Sequence, residues 1–99
     1  MEPIRVEVVD DESGNPQART YAEYKVFSAL VRHAPQVRGA RVVLRRNTSD
    51  HACDTVACAV TVAFEPTGSI RAEGRGPHAF AAVNRTVERL GHILGGRAA

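Results

Sequence analysis

The chain has 99 residues, of which 43% are hydrophobic and 24% charged; that is one small domain of ordinary soluble composition, and it excludes general disorder and collagen-like repeats. No apolar run approaches the roughly 18 residues of a membrane span, Met1-Glu2-Pro3-Ile4-Arg5 lacks a signal-peptide layout, and two cysteines make no disulfide scaffold, so a single cytosolic domain is expected over residues 1–99, ordered from about 4 to 95. The net charge of +2 hides an asymmetry: residues 1–24 hold six acids against Arg5 and Arg19, while residues 25–99 are basic and, with Lys25 the sole lysine, almost wholly through arginine. Arginine suits bidentate phosphate contact, but a GC-rich genome enriches it equally well; the positive sign of the larger segment is what tilts the expected partner toward nucleic acid rather than lipid.

Ile4, Val6 and Val8 alternate with Arg5, Glu7 and Val9, the period-2 pattern of a half-buried strand. Asp10 to Pro16 is polar and carries Gly14, Asn15 and Pro16, so it reads as a loop. From Ala18 the period lengthens. Tyr24, Phe27, Leu30, Val31 and Ala34 recur at three- and four-residue spacing, predicting a helix with one apolar stripe that stops before Pro35.

Ala40, Val42 and Leu44 alternate with Arg41, Val43 and Arg45 in a second strand. Asn47 to Asp54 is a loop, and Val56, Cys58, Val60, Val62 and Phe64 mark one face of a third strand. Glu65-Pro66-Thr67-Gly68 makes a hairpin turn into a short fourth strand, Ile70 to Glu73. Gly76-Pro77 opens a second helix. Its residues Phe80, Val83, Val87, Leu90 and Leu94 lie within about 80° of one another, and Gly95-Gly96 ends it.

The order β-α-β-β-β-α predicts an α+β fold: a four-stranded mixed sheet with both helices on one face. The other face is left to solvent, with Arg5, Glu7, Arg41, Val43, Arg45, Arg71 and Glu73 around the Ala/Thr centre of the third strand.

Arg85, Arg89 and His92 stand at i, i+4 and i+7 on the second helix, a row of cations that can meet successive phosphates. The plainer reading is a solvated edge on which Glu88 pairs with its neighbours. Lys25, Ser28 and Arg32 make a thinner row on the first helix; Arg41, Arg45, Arg46, Arg71 and Arg75 extend the basic surface. His51, Cys53 and Cys58 are three candidate zinc ligands, but no second cysteine pair follows them downstream and no metal or cofactor is expected. Nucleophile elbow, phosphate loop and zinc-protease motif are all missing too. The residues do not read as an enzyme.

The stretch Gly68-Ser69-Ile70-Arg71-Ala72-Glu73-Gly74, followed by Phe80-Ala81-Ala82-Val83-Asn84 and Glu88-Arg89-Leu90, resembles the ribosome hibernation-promoting factors. These are also called ribosome-associated inhibitor or protein Y, within the sigma-54 modulation protein family. Phe80 stands for that family's Tyr, Ala82-Val83-Asn84 for its Ala-Ile-Asp/Asn, Arg89 for a Lys, and Leu90 and Leu94 for two Leu; Gly39 to Leu44 looks like its second strand. Gly76-Pro77-His78 replaces the Asp that caps the family's second helix, and Gly91 replaces a usual Glu. The resemblance implies a fold similar to double-stranded-RNA-binding domains and a non-catalytic role on the small ribosomal subunit. There such proteins occupy the messenger and transfer-RNA path and silence idle ribosomes under starvation, hypoxia or stationary phase. It further implies ribosomal RNA contacts from basic residues of the two helices, with Arg32 and Arg89 at positions of family lysines and His92 at a usual arginine; together with the charge pattern, the expected phosphate ligands are Lys25, Arg32, Arg85, Arg89 and His92, helped by Arg41, Arg45, Arg46, Arg71 and Arg75. Neither DNA nor a membrane is an implied partner. The alternative is a protein-interaction module of the same fold, a homodimer for example, that has lost the ribosome.

Overall fold

The computed structural model describes residues 4–11, 16–33, 36–47 and 55–97. Its elements are β1 (Arg5–Asp11), α1 (Pro16–Leu30) continued by a 3-10 turn (Val31–His33), β2 (Val37–Asn47), β3 (Thr55–Phe64), β4 (Ser69–Gly76) and α2 (Ala79–Arg97). The sheet order is β1-β2-β3-β4, with β1 parallel to β2 and the other pairs antiparallel. The expected α+β architecture is therefore the observed one. The crossover through α1 makes the first pair parallel, and short connections make the rest a meander.

Burial alternates along β3: Val56, Cys58, Val60, Val62 and Phe64 face the helices, joined by Val8, Ala40, Val42, Leu44 and Ala72 from the other strands. The turn after β3 is closed by the Phe64 amide donating to the Gly68 carbonyl at 2.9 Å, and Gly68 takes φ +107°, a conformation that favours glycine.

Three expectations are corrected. Residues 10–16 are not one loop: Asp10 and Asp11 continue β1 opposite Leu44 and Arg45, and Pro16 begins α1. Ladder pairing with β2 overrides the polar character of the two aspartates, and proline suits a first helical turn. The apolar stripe of α1 is the second correction. Its buried residues are Ala18, Ala22, Val26 and Leu30, whereas Tyr24 is 67% exposed, Phe27 37% and Val31 48%; Ala34 lies outside the described residues. Two alanines at i and i+4 let the helix axis come close to its neighbours, so the larger side chains point the other way.

The third concerns the last two elements: β4 is not the short Ile70–Glu73 strand but runs Ser69–Gly76, because Arg75 and Gly76 keep pairing with Ala57 and Val56, and α2 starts at Ala79 rather than at Pro77 and runs on through Gly95 and Gly96 to Arg97. His78 caps it: the Ala81 amide donates to His78 Nδ1 at 3.2 Å, the place of the side-chain acceptor at a helix start. Val83, Leu90 and Leu94 are buried as expected and Phe80 and Val87 are half-buried, while Thr86 is fully buried among them. The two helices are joined where the Tyr21 hydroxyl donates to Asn84 Oδ1 at 2.5 Å and the Tyr21 and Phe80 rings meet edge-on with centroids 5.1 Å apart.

Candidate nucleic-acid interface

The solvent face of the sheet is ordered by its register. Arg41, Thr61 and Arg71 stand side by side on β2, β3 and β4, and so do Arg45, Ala57 and Arg75; between these rungs lies Val43, Ala59 and Glu73. Strand spacing separates the two arginines of a rung by about 10 Å, and four residues of strand separate the two rungs by about 13 Å. The four arginines thus frame a floor of Ala57, Ala59 and Thr61, in a shallow concavity of about 530 Å³. Arg71 is held by Glu73, with Nε donating to Oε1 at 2.9 Å and Nη2 at 2.6 Å. No ion pair holds Arg41 or Arg75 among the described residues.

A second concavity, of about 490 Å³, lies where β4 meets α2 and is lined by Glu73, Gly74, Arg75, Arg85 and Arg89. Here Arg85 Nη1 donates to the Arg75 carbonyl at 2.6 Å and Arg89 Nη1 to the Glu73 carbonyl at 2.9 Å. β4 is an edge strand, and carbonyls two residues apart point to the same side of a strand, so the two guanidiniums cover its outer edge. Their partners are main-chain oxygens of β4, rather than Glu88 of their own helix. Both side chains remain exposed, and each guanidinium keeps further donors for a ligand.

Gly74 and Gly76 make this approach feasible. A Cβ on Gly76 would stand 2.7 Å from the Ala81 Cβ, so only glycine at this position of β4 lets α2 lie so near. This pair, spaced by two, is the signal in the sequence that marks β4 as the strand under a helix. The part of the β4 main chain in holding Arg85 and Arg89 had no such signal, because it depends on a tertiary contact.

The ten expected phosphate ligands fall into separate groups. Arg41, Arg45, Arg71 and Arg75 share the sheet face, and Arg85 and Arg89 adjoin them at the β4 rim. Arg46, also exposed, lies at the far end of β2, and His92 is exposed farther along α2. Lys25 and Arg32 sit on α1 and its 3-10 extension, the helices packing on the opposite side of the sheet. The Lys25 ammonium is 5.9 Å from the centre of the Tyr21 ring, near the outer limit of a cation–π contact. His51 and Cys53 lie outside the described residues, and Cys58 is buried on the core side, where burial pushes its thiol pKa up.

No protein-family model matches the chain, and no curated protein matches it. Among solved structures it is similar to a ribosomal subunit interface protein from Coxiella burnetii, with a TM-score of 0.74 over 96% of this chain and 98% of that one, at 14% identity. The fold implied by the Gly68–Leu90 resemblance is thus found over nearly the whole chain: this protein has the fold of a ribosomal subunit interface protein.

Proposed function

We propose that this chain is a non-catalytic, ribosome-associated factor of the hibernation-promoting family, which binds ribosomal RNA of the small subunit and holds idle ribosomes silent or protected under stress. The observation that carries this reading is the shared fold with the ribosomal subunit interface protein over 96% of the chain. The motif resemblance at Gly68–Leu90 and the arginines gathered on and beside β4 agree with it. Shape and phosphate contact, rather than base-edge readout, is how such a fold meets structured RNA.

Co-sedimentation with purified small subunits across a salt series tests the reading. Saturable binding at about one copy per subunit, weakening as salt rises, is expected from phosphate contacts. Arg85→Ala with Arg89→Ala should lower the salt slope by roughly one unit per lost contact. Absence of binding at low salt would overturn the proposal.

A further inference from the structure

We infer that the solvent face of the sheet is a trough for an unpaired RNA strand, an assignment that rests on the ribosome-associated reading and specifies what its sheet arginines hold. Arg41 and Arg45 form one wall on β2, Arg71 and Arg75 the other on β4, and β3 supplies a floor of Ala57, Ala59 and Thr61. The floor carries no long side chain, so flat groups can lie against it. The walls are about 10 Å apart and extend about 13 Å along the strands. A single strand laid along the trough brings its phosphates to the guanidiniums and its bases to the floor or to guanidinium planes, which stack on bases. A duplex turns its bases inward and offers this surface only backbone. One carboxylate, Glu73, stands in the middle rung; its bond to Arg71 directs it toward a wall. An acidic peptide would satisfy the walls and leave the small-residue floor unused.

The test is fluorescence anisotropy with a labelled 12-nucleotide oligouridylate, against a 12-base-pair RNA duplex and against unlabelled polyglutamate as competitor, each across a salt series. The single strand should bind at least tenfold more tightly than the duplex, and polyglutamate should compete poorly. Arg41→Gln with Arg75→Gln should weaken single-strand binding at least tenfold and reduce the salt slope by about 1.4, two contacts at about 0.7 each. Ala59→Tyr, which adds a stacking surface to the floor, should tighten binding about fivefold or more. Arg19→Gln, which removes an exposed arginine from α1, serves as the charge control and should change little. Duplex binding that is as tight as single-strand binding and falls equally with the Arg41/Arg75 change, effective competition by polyglutamate, or indifference of single-strand binding to that change would each overturn the trough. Ribosome co-sedimentation separates the two proposals. A chain that joins small subunits yet ignores the oligonucleotide refutes the trough alone. One that binds the oligonucleotide through Arg41 and Arg75 but not the ribosome upholds the trough and refutes the ribosomal role.

Discussion

A Cβ placed on Gly74 would stand 2.6 Å from Thr86 Oγ1 and 2.8 Å from the Thr86 main-chain nitrogen. Rotating the Thr86 side chain could relieve the first contact, but the second is to helix backbone, so α2 would have to move. The Thr86 hydroxyl is also the bridge between α2 and β3, within hydrogen-bond distance of the Ala82 carbonyl at 2.8 Å and the Cys58 carbonyl at 3.2 Å. Gly74→Ala should therefore destabilise the fold by about 1–3 kcal/mol, the usual cost of overpacking. Urea unfolding followed by circular dichroism measures it, and a midpoint equal to wild type would show that α2 yields freely.

Gly91 offers the opposite case on the same helix. Nothing lies within 4 Å of a Cβ built there, and the residue is exposed. Gly91→Ala should raise stability by about 0.5–1 kcal/mol, since glycine in a helix interior costs about that much relative to alanine. If the variant unfolded at a lower urea concentration than wild type, the helix would need glycine at this position for some reason other than conformation.

His78 does the work of the missing aspartate. An imidazole nitrogen accepts the Ala81 amide at 3.2 Å, but a carboxylate there would add a favourable charge at the positive end of α2. His78→Asp should stabilise the fold by about 0.5–1 kcal/mol, and His78→Ala should cost about 1 kcal/mol. The thermal midpoints should fall in the order Asp, His, Ala. An alanine variant as stable as wild type would mean that the cap contributes nothing.

Burial raises the Cys58 thiol pKa above its ordinary value of 9.0, and the hydrogen bond with Thr86 acts in the opposite sense. The native state therefore keeps the thiol proton to higher pH than the unfolded chain does. Stability from this group is fully present below about pH 9 and is lost as pH rises through the folded value, by at most about 1.4 kcal/mol per pH unit. Cys58→Ala should be less stable than wild type at pH 7, and the gap should narrow as the pH rises above about 9. A gap that stays constant in urea titrations over that range would contradict the assignment.

Periodicity revealed most of the sheet because β3 repeats Val, Cys, Val, Val and Phe on one side with Ala and Thr on the other, and burial follows that alternation residue by residue. The same reasoning failed on α1. It weighted Tyr24, Phe27 and Val31 by size, whereas the buried row, Ala18, Ala22, Val26 and Leu30, is made half of alanine. Small residues at i, i+4 spacing are a contact signal as strong as large ones when two elements approach closely, but composition alone does not rank them above aromatic residues. The arginine row on α2 was legible as a row. What it touches was not, because the carbonyls of Glu73 and Arg75 belong to a strand whose outer edge is known only once the sheet order is known.

That contact gives Arg85 and Arg89 a structural duty beside any RNA contact, and the two can be separated. With both changed to Ala, the outer carbonyls of Glu73 and Arg75 lose their donors, and the bare edge of β4 becomes a template for another strand. The double alanine variant should self-associate more than wild type as concentration rises, as seen by sedimentation velocity, with little change in helix and strand content. Arg85→Lys with Arg89→Lys keeps both charges and one short-range donor on each side chain, so it should restore the wild-type sedimentation profile while keeping most of the salt-dependent attraction to RNA. A double alanine variant that sediments as wild type does at every concentration would remove the edge-covering duty. Any ribosome-binding defect it showed would then be a loss of phosphate contact, because no change of assembly would remain to explain it.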